Sequence, residues 1–191
     1  TKIMVTGLGM VTPLGLDVPT TWEALNKGTS GIRKIASFDT TGFETTVGGE
    51  AIGFDPEVYM DKKQARRLDR FAQLANAATH QALGQARLNL FDGSIDPERV
   101  GVIIGSGVGG IMTLSEQWQV LAERGPDRVS PFLVPMMLAD MASGQISIMF
   151  GAKGPNYCVV TACSSGADAI GLASQMIKRD EVDIVIAGGA E

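Results

Sequence analysis

A short strand pattern runs directly into a helical pattern between Tyr157 and Lys178, and this junction constrains the fold more than any other part of the sequence. Residues 157–161 are β-branched and aromatic, which predicts a strand. Small or apolar side chains then recur at helical spacing from Ala162 to Ile177, and Lys178 adds a cation to the last turn. A strand followed at once by a helix is typical of parallel sheets with helices packed on their faces.

The rest of the chain repeats this alternation of apolar strands and helices. Further buried strands are predicted at residues 3–8, 100–104 and 182–187. The predicted helices cover residues 21–27, 63–88, 111–124 and 136–150, with Thr20 and Glu23 at capping-box spacing before the first. Residues 28–60 are predicted as an irregular excursion with one short strand at 45–51. This order predicts an α/β fold in which a mixed, mostly parallel sheet is covered by helices on both faces.

Cys163 falls at the strand-to-helix junction, on the predicted first turn of the helix. Unpaired N–H groups at a helix N-terminus stabilise a thiolate, which is the nucleophilic form of cysteine. Ser164, Ser165 and Gly166 are small enough for a substrate to approach the sulfur. The alternative is a buried structural cysteine, and we favour that interpretation for Cys158 because it lies inside the apolar strand. The junction therefore predicts Cys163 as a nucleophile.

Composition excludes several classes of protein. Hydrophobic residues make up 45% and charged residues 19% of the 191 positions, so we expect a globular chain with one sizeable core. The formal net charge of −5 argues against nucleic-acid binding. The two cysteines form neither a disulfide framework nor a metal-ligand spacing, so we expect no metal and no cofactor.

No apolar run approaches the length of a membrane span, and no signal peptide is visible. We therefore expect no membrane association and a reducing compartment. The expected location is the cytoplasm. An organelle of a eukaryote stays open as an alternative, because a processed transit peptide would already be gone.

Glycine-rich turns follow two of the predicted strands. Residues 105–110 read Gly-Ser-Gly-Val-Gly-Gly, and Gly188–Gly189 ends the last strand. The carboxyl ends of parallel strands meet at one edge of a sheet, so we expect both turns to share a site with Cys163. The spacing at 105–110 matches neither a dinucleotide fingerprint nor a phosphate loop. We interpret this turn as close backbone packing beneath the cysteine, with Val108 lining an acyl pocket.

A basic stretch at residues 62–70 stands out in this acidic chain. Residues three and four apart are neighbours on a helix, so several of its cations are predicted to share one edge. These cations are Lys63, Arg66, Arg67 and Arg70. One interpretation is a solvated helix face, and the other is a docking surface for an acidic partner. Arg124 and Arg128 would extend such a surface.

Four motifs together resemble those of the beta-ketoacyl-acyl-carrier-protein synthases, and most closely the elongating type II enzymes of fatty-acid synthesis. They are Val5-Thr6-Gly7-Leu8-Gly9, Gly105-Ser106-Gly107-Val108-Gly109-Gly110, Thr161-Ala162-Cys163-Ser164-Ser165-Gly166 and Ala187-Gly188-Gly189-Ala190-Glu191. The cysteine motif is highly specific in this spacing, whereas the glycine motifs alone would be weak. The resemblance covers the whole chain. It implies a thiolase-like fold of two duplicated α/β halves, of which this chain is the first, and a homodimer.

The resemblance also implies roles for individual residues. Cys163 is the acyl-accepting nucleophile of a decarboxylating condensation with a malonyl carrier protein. The acyl tunnel is lined by Gly107 and Val108, and a segment of the second subunit approaches it. That segment comprises Phe132, Leu133 and Val134. The basic stretch matches the family's dock for acyl carrier protein, which favours the docking interpretation of Lys63, Arg66 and Arg67. Residues 156–160 would pair with their twin in the homodimer.

One departure from the family is large. The family's two histidines, with a lysine and a phenylalanine of the site, belong to the second half of the fold, and the only histidine here is His80. Because His80 lies within a predicted helix beside alanines, we interpret it as a packed or half-exposed helix residue in preference to a catalytic one. We therefore expect the C-terminal half to be absent and residues 1–191 alone to be incomplete for condensation. Two alternatives stay open: a non-catalytic relative that dimerises with an active partner, and a thiolase-like acyltransferase that uses coenzyme A.

Overall fold

A computed structural model describes residues 2–191, and a parallel sheet of three strands lies at its centre. The strands of the described residues are β1 (Ile32–Lys34), β2 (Val47–Gly49), β3 (Val100–Gly105), β4 (Asn156–Tyr157) and β5 (Ile184–Gly189). The α-helices are α1 (Val18–Asn26), α2 (Lys62–Ala65), α3 (Arg70–Ala86), α4 (Ile111–Arg124), α5 (Leu133–Met137), α6 (Met141–Phe150) and α7 (Ser165–Lys178). Short 3-10 turns cover Pro56–Val58, Pro97–Arg99 and Pro126–Arg128.

Strand β3 is the middle strand of the central sheet, with β4 and β5 parallel to it on either side. In the register of the sheet, Val102 of β3 lies opposite Asn156 in β4 and Ile186 in β5. Every residue of β3 is buried. This is the pattern expected of a parallel strand that is covered on both faces, and it explains why the sequence of β3 is apolar throughout rather than alternating.

Helices cover the central sheet on both faces, as the sequence predicts. On one face Val102 and Ile104 pack in a cluster with Phe71 of α3 and Ile146 of α6. On the other face Ile103 packs against α7 and the start of the β5 segment. The α7 cluster comprises Ile103, Ala169, Ala173, Met176 and Val182. Successive β3 side chains thus enter different cores, as the alternation of a strand requires.

The strand predicted at residues 3–8 is not formed. This segment has no regular secondary structure and lies against helix α3 rather than beside another strand, and the amides of Leu8 and Met10 donate to the side chains of Gln85 and Gln81. A Cβ at Gly9 would lie 1.7 Å from the carbonyl oxygen of Ala78, so only glycine allows this approach. The prediction was wrong because apolar content does not indicate whether a strand has a neighbour to pair with.

Two predicted helix starts are also corrected. The helix predicted over 63–88 is two helices, because Asp69 interrupts it and caps α3 by accepting from the amide of Phe71. Helix α1 begins at Val18 rather than at residue 21, since Asp17 caps it and accepts from the amide of Thr20. Aspartate is a preferred N-cap residue, and here it takes the place that the capping-box spacing assigned to Thr20.

The remaining differences concern the bounds of short elements. The helix predicted over 136–150 is divided into α5 and α6 around residues 138–140. The strand predicted over 157–161 is regular only at Asn156–Tyr157. The short strand expected at 45–51 is present as β2, but residues 28–60 hold a second strand that was not predicted, β1, with which β2 pairs antiparallel.

Candidate active site

Cys163 is exposed and lies in the turn between strand β4 and helix α7. The helix begins at Ser165 with Ser164 as its N-cap, so Cys163 precedes the cap rather than lying on the first turn as predicted. Ala162, directly before the cysteine, has a left-handed backbone conformation with φ of 51°. Left-handed conformation is unfavourable for a residue with a Cβ, and such residues concentrate at functional turns.

A carboxylate ties the two ends of this turn together. Asp168 Oδ2 accepts hydrogen bonds from Thr161 Oγ1 at 2.5 Å and from Ser164 Oγ at 3.1 Å. The backbone closes the same loop, because the amides of Ser164 and Ser165 donate to the carbonyl oxygens of Thr161 and Ala162. The strained residue and the cysteine are therefore bracketed by hydrogen bonds on both sides.

Cys163 lines an open cavity of about 820 Å³ at the carboxyl ends of the sheet strands. Gly107 and Val108 line it from the turn after β3, and Gly189 and Glu191 line it from the end of β5. Helix α7 contributes Ser165, Gly166 and Ile170. The prediction that the cysteine turn and the two glycine-rich turns share one site is confirmed.

Close backbone packing accounts for the glycines around this cavity. A Cβ at Gly105 would lie 2.3 Å from the carbonyl oxygen of Ser165, and a Cβ at Gly189 would lie 2.8 Å from the Cα of Gly166. A Cβ at Gly110 would lie 2.3 Å from the carbonyl oxygen of Met136. No larger residue fits at these positions without moving backbone, so the packing interpretation of residues 105–110 is confirmed.

Glu191 lines the cavity and binds the turn after β3, although no role was predicted for it from the sequence. Its carboxylate accepts from the amide of Gly107 at 2.5 Å and from the amide of Val108 at 2.9 Å. The only local signal for it is an acidic residue just after a strand that ends in Gly188–Gly189. Its partners lie more than 80 positions away in the sequence, so nothing local identifies them.

Cys158 differs from Cys163 in its surroundings. It is half-buried, and it is not part of the cavity lining given by the described residues. Burial raises the pKa of the Cys158 thiol, because a thiolate is poorly solvated there. Both cysteines are free. The structural interpretation of Cys158 therefore fits its position.

The basic stretch forms a second pocket of about 450 Å³, lined by four cations and one aromatic ring. The lining residues are Lys62, Lys63, Arg66, Arg67 and Phe132. Because the predicted helix is broken between α2 and α3, the cations predicted to share one helix edge do not all line this pocket. Arg70 turns away and donates to the carbonyl oxygens of Ala51 and Phe54. Arg124 and Arg128, at the end of α4 and in the following 3-10 turn, do not line the pocket in the described part of the chain.

The structure separates three other predicted residues from Cys163. Phe132 belongs to the basic pocket, where it contacts Arg67, while Leu133 and Val134 begin helix α5. Among the described residues, none of the three lines the Cys163 cavity. His80 is exposed, with its ring beside those of Tyr59 and Phe150, and it is likewise outside the described cavity lining.

Residues 2–191 hold no cluster of three metal-ligating side chains. Within the same range, no helix is both long and apolar enough to traverse a bilayer.

Comparison with known proteins places these features in a family. Residues 1–191 match the family described as "Beta-ketoacyl synthase, N-terminal domain". The chain is 46% identical over 190 residues to 3-oxoacyl-(acyl-carrier-protein) synthase 2 of Staphylococcus aureus strain N315, covering 100% of this chain and 45% of the relative. It is 42% identical over 190 residues to the protein of the same name from Synechocystis, again over 100% of this chain and 45% of the relative. The chain thus spans less than half the length of these relatives.

Solved structures agree with the fold. The ishigamide ketosynthase/chain length factor matches with a TM-score of 0.90 at 27% identity, over 98% of this chain and 46% of that chain. A beta-ketoacyl synthase from Burkholderia phymatum matches with a TM-score of 0.81 at 28% identity, over 98% of this chain and 46% of that chain. The expectation of a thiolase-like α/β fold is confirmed by these neighbours, which are ketosynthases.

Proposed function

Because the chain belongs to the beta-ketoacyl synthase family, we propose that it supplies the nucleophile of a decarboxylating condensation in fatty-acid elongation. The observation that carries the proposal is the placement of Cys163, exposed at the wall of an 820 Å³ cavity at the carboxyl ends of the strands. Ligand sites of open α/β sheets lie at these ends. The acyl chain occupies this cavity, with Gly107 and Val108 along its wall.

The proposed chemistry has two stages. The Cys163 thiolate attacks the thioester carbonyl of an acyl carrier protein, and the carrier thiol leaves, so that the acyl group becomes a thioester of the enzyme. A malonyl carrier thioester then loses carbon dioxide, and the resulting carbanion attacks the Cys163 thioester carbonyl. The cysteine thiolate leaves, and the product is a β-ketoacyl carrier thioester longer by two carbons. The backbone N–H of Cys163 is a proposed donor to the oxyanion.

We propose that the remaining donors of the condensation step come from outside the cavity that the described residues form. Negative charge develops on the malonyl thioester oxygen as carbon dioxide leaves, and the family neutralises it with two histidines. His80 packs against Tyr59 and Phe150 instead. We propose that the second half of the fold supplies these donors, so this chain carries acylation while condensation requires both halves.

Acyl carrier protein is the proposed partner at the basic pocket. Lys62, Lys63, Arg66 and Arg67 converge on one 450 Å³ pocket, and none of these four side chains pairs with a carboxylate among the ion pairs of the described residues. Such a concentration of positive charge attracts an acidic partner and orients it during encounter. Arg124 and Arg128 are proposed as a peripheral extension of this surface.

A homodimer is the proposed assembly. Strand β4 forms an edge of the sheet, and Tyr157 within it and Val160 just after it are more than half exposed. An exposed edge presents unpaired backbone groups to a second strand. Helix α4 separately exposes apolar side chains at Ile111, Leu114, Trp118 and Leu121, and exposed apolar surface of this kind marks interfaces. Sedimentation of Val160→Asp tests the proposal, with Val58→Asp in the exposed 3-10 turn at Pro56–Val58 as the matched control. Only Val160→Asp is expected to shift a dimer to monomer, and an unchanged dimer would contradict the assembly.

Acyl transfer from a carrier thioester to the purified protein tests the central proposal. Mass spectrometry is expected to find one acyl group on Cys163, lost in Cys163→Ala and retained in Cys158→Ala. Absence of acylation in a folded sample would contradict the proposal and favour the non-catalytic dimer partner. More efficient acylation from coenzyme A than from the carrier would favour the thiolase-like alternative.

A further inference from the structure

The turn that forms the wall of the Cys163 cavity has every backbone amide satisfied. Two of its amides use other backbone, since Ser106 N–H donates to Val159 and Gly110 N–H donates to Met137. Gly109 N–H donates to the hydroxyl oxygen of Ser106 within the turn. The other two amides, those of Gly107 and Val108, both donate to Glu191.

Glu191 is therefore the single side chain that holds two consecutive amides of this turn. Its Oε2 accepts from Gly107 N–H at 2.5 Å and its Oε1 accepts from Val108 N–H at 2.9 Å. Hydrogen bonds to an ionised carboxylate are stronger than those between neutral groups. Glycine at position 107 leaves room for this contact, because the Cβ of any other residue there would lie only 3.0 Å from Glu191 Oε2.

The arrangement requires both the length and the symmetry of a glutamate side chain. An aspartate at position 191 is shorter by one methylene group and does not reach both amides from the same backbone. A glutamine has one acceptor oxygen, so its NH₂ group would face one of the two N–H donors. An alanine removes both acceptors.

Val108 connects this clamp to the substrate cavity. Its amide is one of the two that Glu191 holds, and its side chain is 59% exposed where it lines the cavity beside Cys163. Without this hydrogen bond the Val108 side chain would be free to move. Burial of its exposed apolar surface against another apolar side chain of the cavity wall, such as Ile170, would then be favourable. The hydrogen bond to Glu191 therefore anchors the backbone that carries this side chain.

We propose that Glu191 is a positioning residue that keeps Val108 out of the Cys163 cavity and so keeps the cavity wide enough for a long acyl chain. The proposal deepens the proposed function and rests on it for the identity of the acyl chain. The geometric part is independent of that identity, because any chain attached to Cys163 has to pass Val108.

The test compares two alkylating reagents that need neither a carrier protein nor a malonyl donor. Second-order rates of Cys163 modification are measured by peptide mass spectrometry for iodoacetamide and for an N-decyl iodoacetamide. Glu191→Gln is expected to lower the ratio of the decyl rate to the iodoacetamide rate roughly three- to tenfold, the effect of losing about one hydrogen bond. The matched control is Glu44→Gln on an exposed loop, which is expected to keep the parent ratio.

A second comparison separates positioning from general destabilisation. In a Val108→Ala background the side chain that would enter the cavity is gone, so Glu191→Gln is expected to leave the ratio unchanged. Glu191→Asp, which keeps the charge but not the reach, is expected to lower the ratio as Glu191→Gln does. Rates that fall in parallel for both reagents, or an undiminished effect in the Val108→Ala background, would overturn the proposal. Because no thioester is used, these outcomes are distinct from a failure of carrier-dependent acylation.

Discussion

The guanidinium of Arg67 lies 4.7 Å from the centre of the Phe132 ring. Contacts of this kind are worth about 0.5–1 kcal/mol at exposed sites. Phe132 precedes helix α5, so the contact connects the basic pocket with the segment that leads into the α5–α6 region. The guanidinium of Arg67 thus contacts the ring at the wall of the pocket while the residue stays exposed, an arrangement that the proposed docking surface requires.

Charge reversal in the basic pocket tests the docking proposal. The triple substitution of Lys63, Arg66 and Arg67 to Glu is expected to slow acyl transfer from a carrier protein at low salt by about tenfold or more. Transfer from a small acyl-coenzyme A donor is expected to stay near the parent rate, because the Cys163 cavity is unchanged. The loss is expected to shrink as ionic strength rises.

Reversal of exposed cations elsewhere provides the control for this experiment. Arg33 and Lys34 in strand β1 and Lys178 at the end of α7 are exposed, and changing all three to Glu gives the same change in net charge. If both triple variants lose carrier-dependent transfer equally, the effect comes from net charge and the docking surface is contradicted.

The two cysteines are expected to react at different rates with iodoacetamide. Cys163 is exposed, whereas Cys158 is half-buried and burial raises its thiol pKa, which lowers its thiolate fraction near neutral pH. Brief labelling followed by peptide mapping is expected to modify Cys163 at least about tenfold faster, because its sulfur is accessible and burial disfavours the thiolate of Cys158. Circular dichroism on the same sample confirms that the protein is folded, and equal labelling of a folded sample would contradict the prediction.

Elements whose signal lies within a few consecutive residues are the ones that the sequence predicts correctly. The sequence predicts strands β3 and β5 to within about two residues of their observed bounds, because burial makes both strands apolar throughout. It predicts helix α7 because small and apolar residues recur at helical spacing. The location of Cys163 was predictable because a strand, a run of small residues and a helix follow one another without interruption.

Long-range contacts decide the elements that were predicted wrongly. Asp69 interrupts the helix predicted over 63–88, and its second carboxylate oxygen accepts from the amide of Thr113 near the start of α4. Residues 3–8 are bound by glutamine side chains of α3 rather than by a strand. The role of Glu191 likewise exists only because the end of β5 meets the turn at Gly107 and Val108. None of these partners is close in sequence, so no window of local pattern contains them.

The left-handed conformation of Ala162 predicts a selective loss of stability. A β-branched residue tolerates φ of 51° poorly, so Ala162→Val is expected to lower the free energy of unfolding by about 1–2 kcal/mol. The matched control is Ala167→Val at an exposed position in helix α7, which is expected to cost only about 0.5 kcal/mol through helix propensity. Urea unfolding followed by circular dichroism measures both values. Equal losses in the two variants would show that the backbone at position 162 is not strained.

An ion-pair cluster at the amino ends of the sheet strands predicts a pH-dependent contribution to stability. Arg99, just before β3, donates from Nε and Nη2 to the two carboxylate oxygens of Asp183 at 2.7 and 2.8 Å, and Nη2 also donates to Asp180. The amide of Asp183 donates in turn to the carbonyl oxygen of Arg99, so the cluster joins the start of β3 to the start of β5. These hydrogen bonds from Arg99 lower the pKa of the Asp183 carboxyl below its usual value.

The direction of the shift fixes the direction of the pH dependence. A carboxyl whose pKa is lower in the folded state stabilises the fold above its unfolded pKa of about 3.9, and this stabilisation is lost as pH falls through the lower folded value. Asp183→Asn is therefore expected to lower the urea midpoint at pH 7, and the difference from the parent is expected to shrink between pH 4 and pH 3. Asp127→Asn, an exposed aspartate in the turn after α4, is the control and is expected to match the parent at each pH. A difference for Asp183→Asn that stays constant across this range would mean that packing of the side chain, and not its charge, supports the junction of β3 and β5.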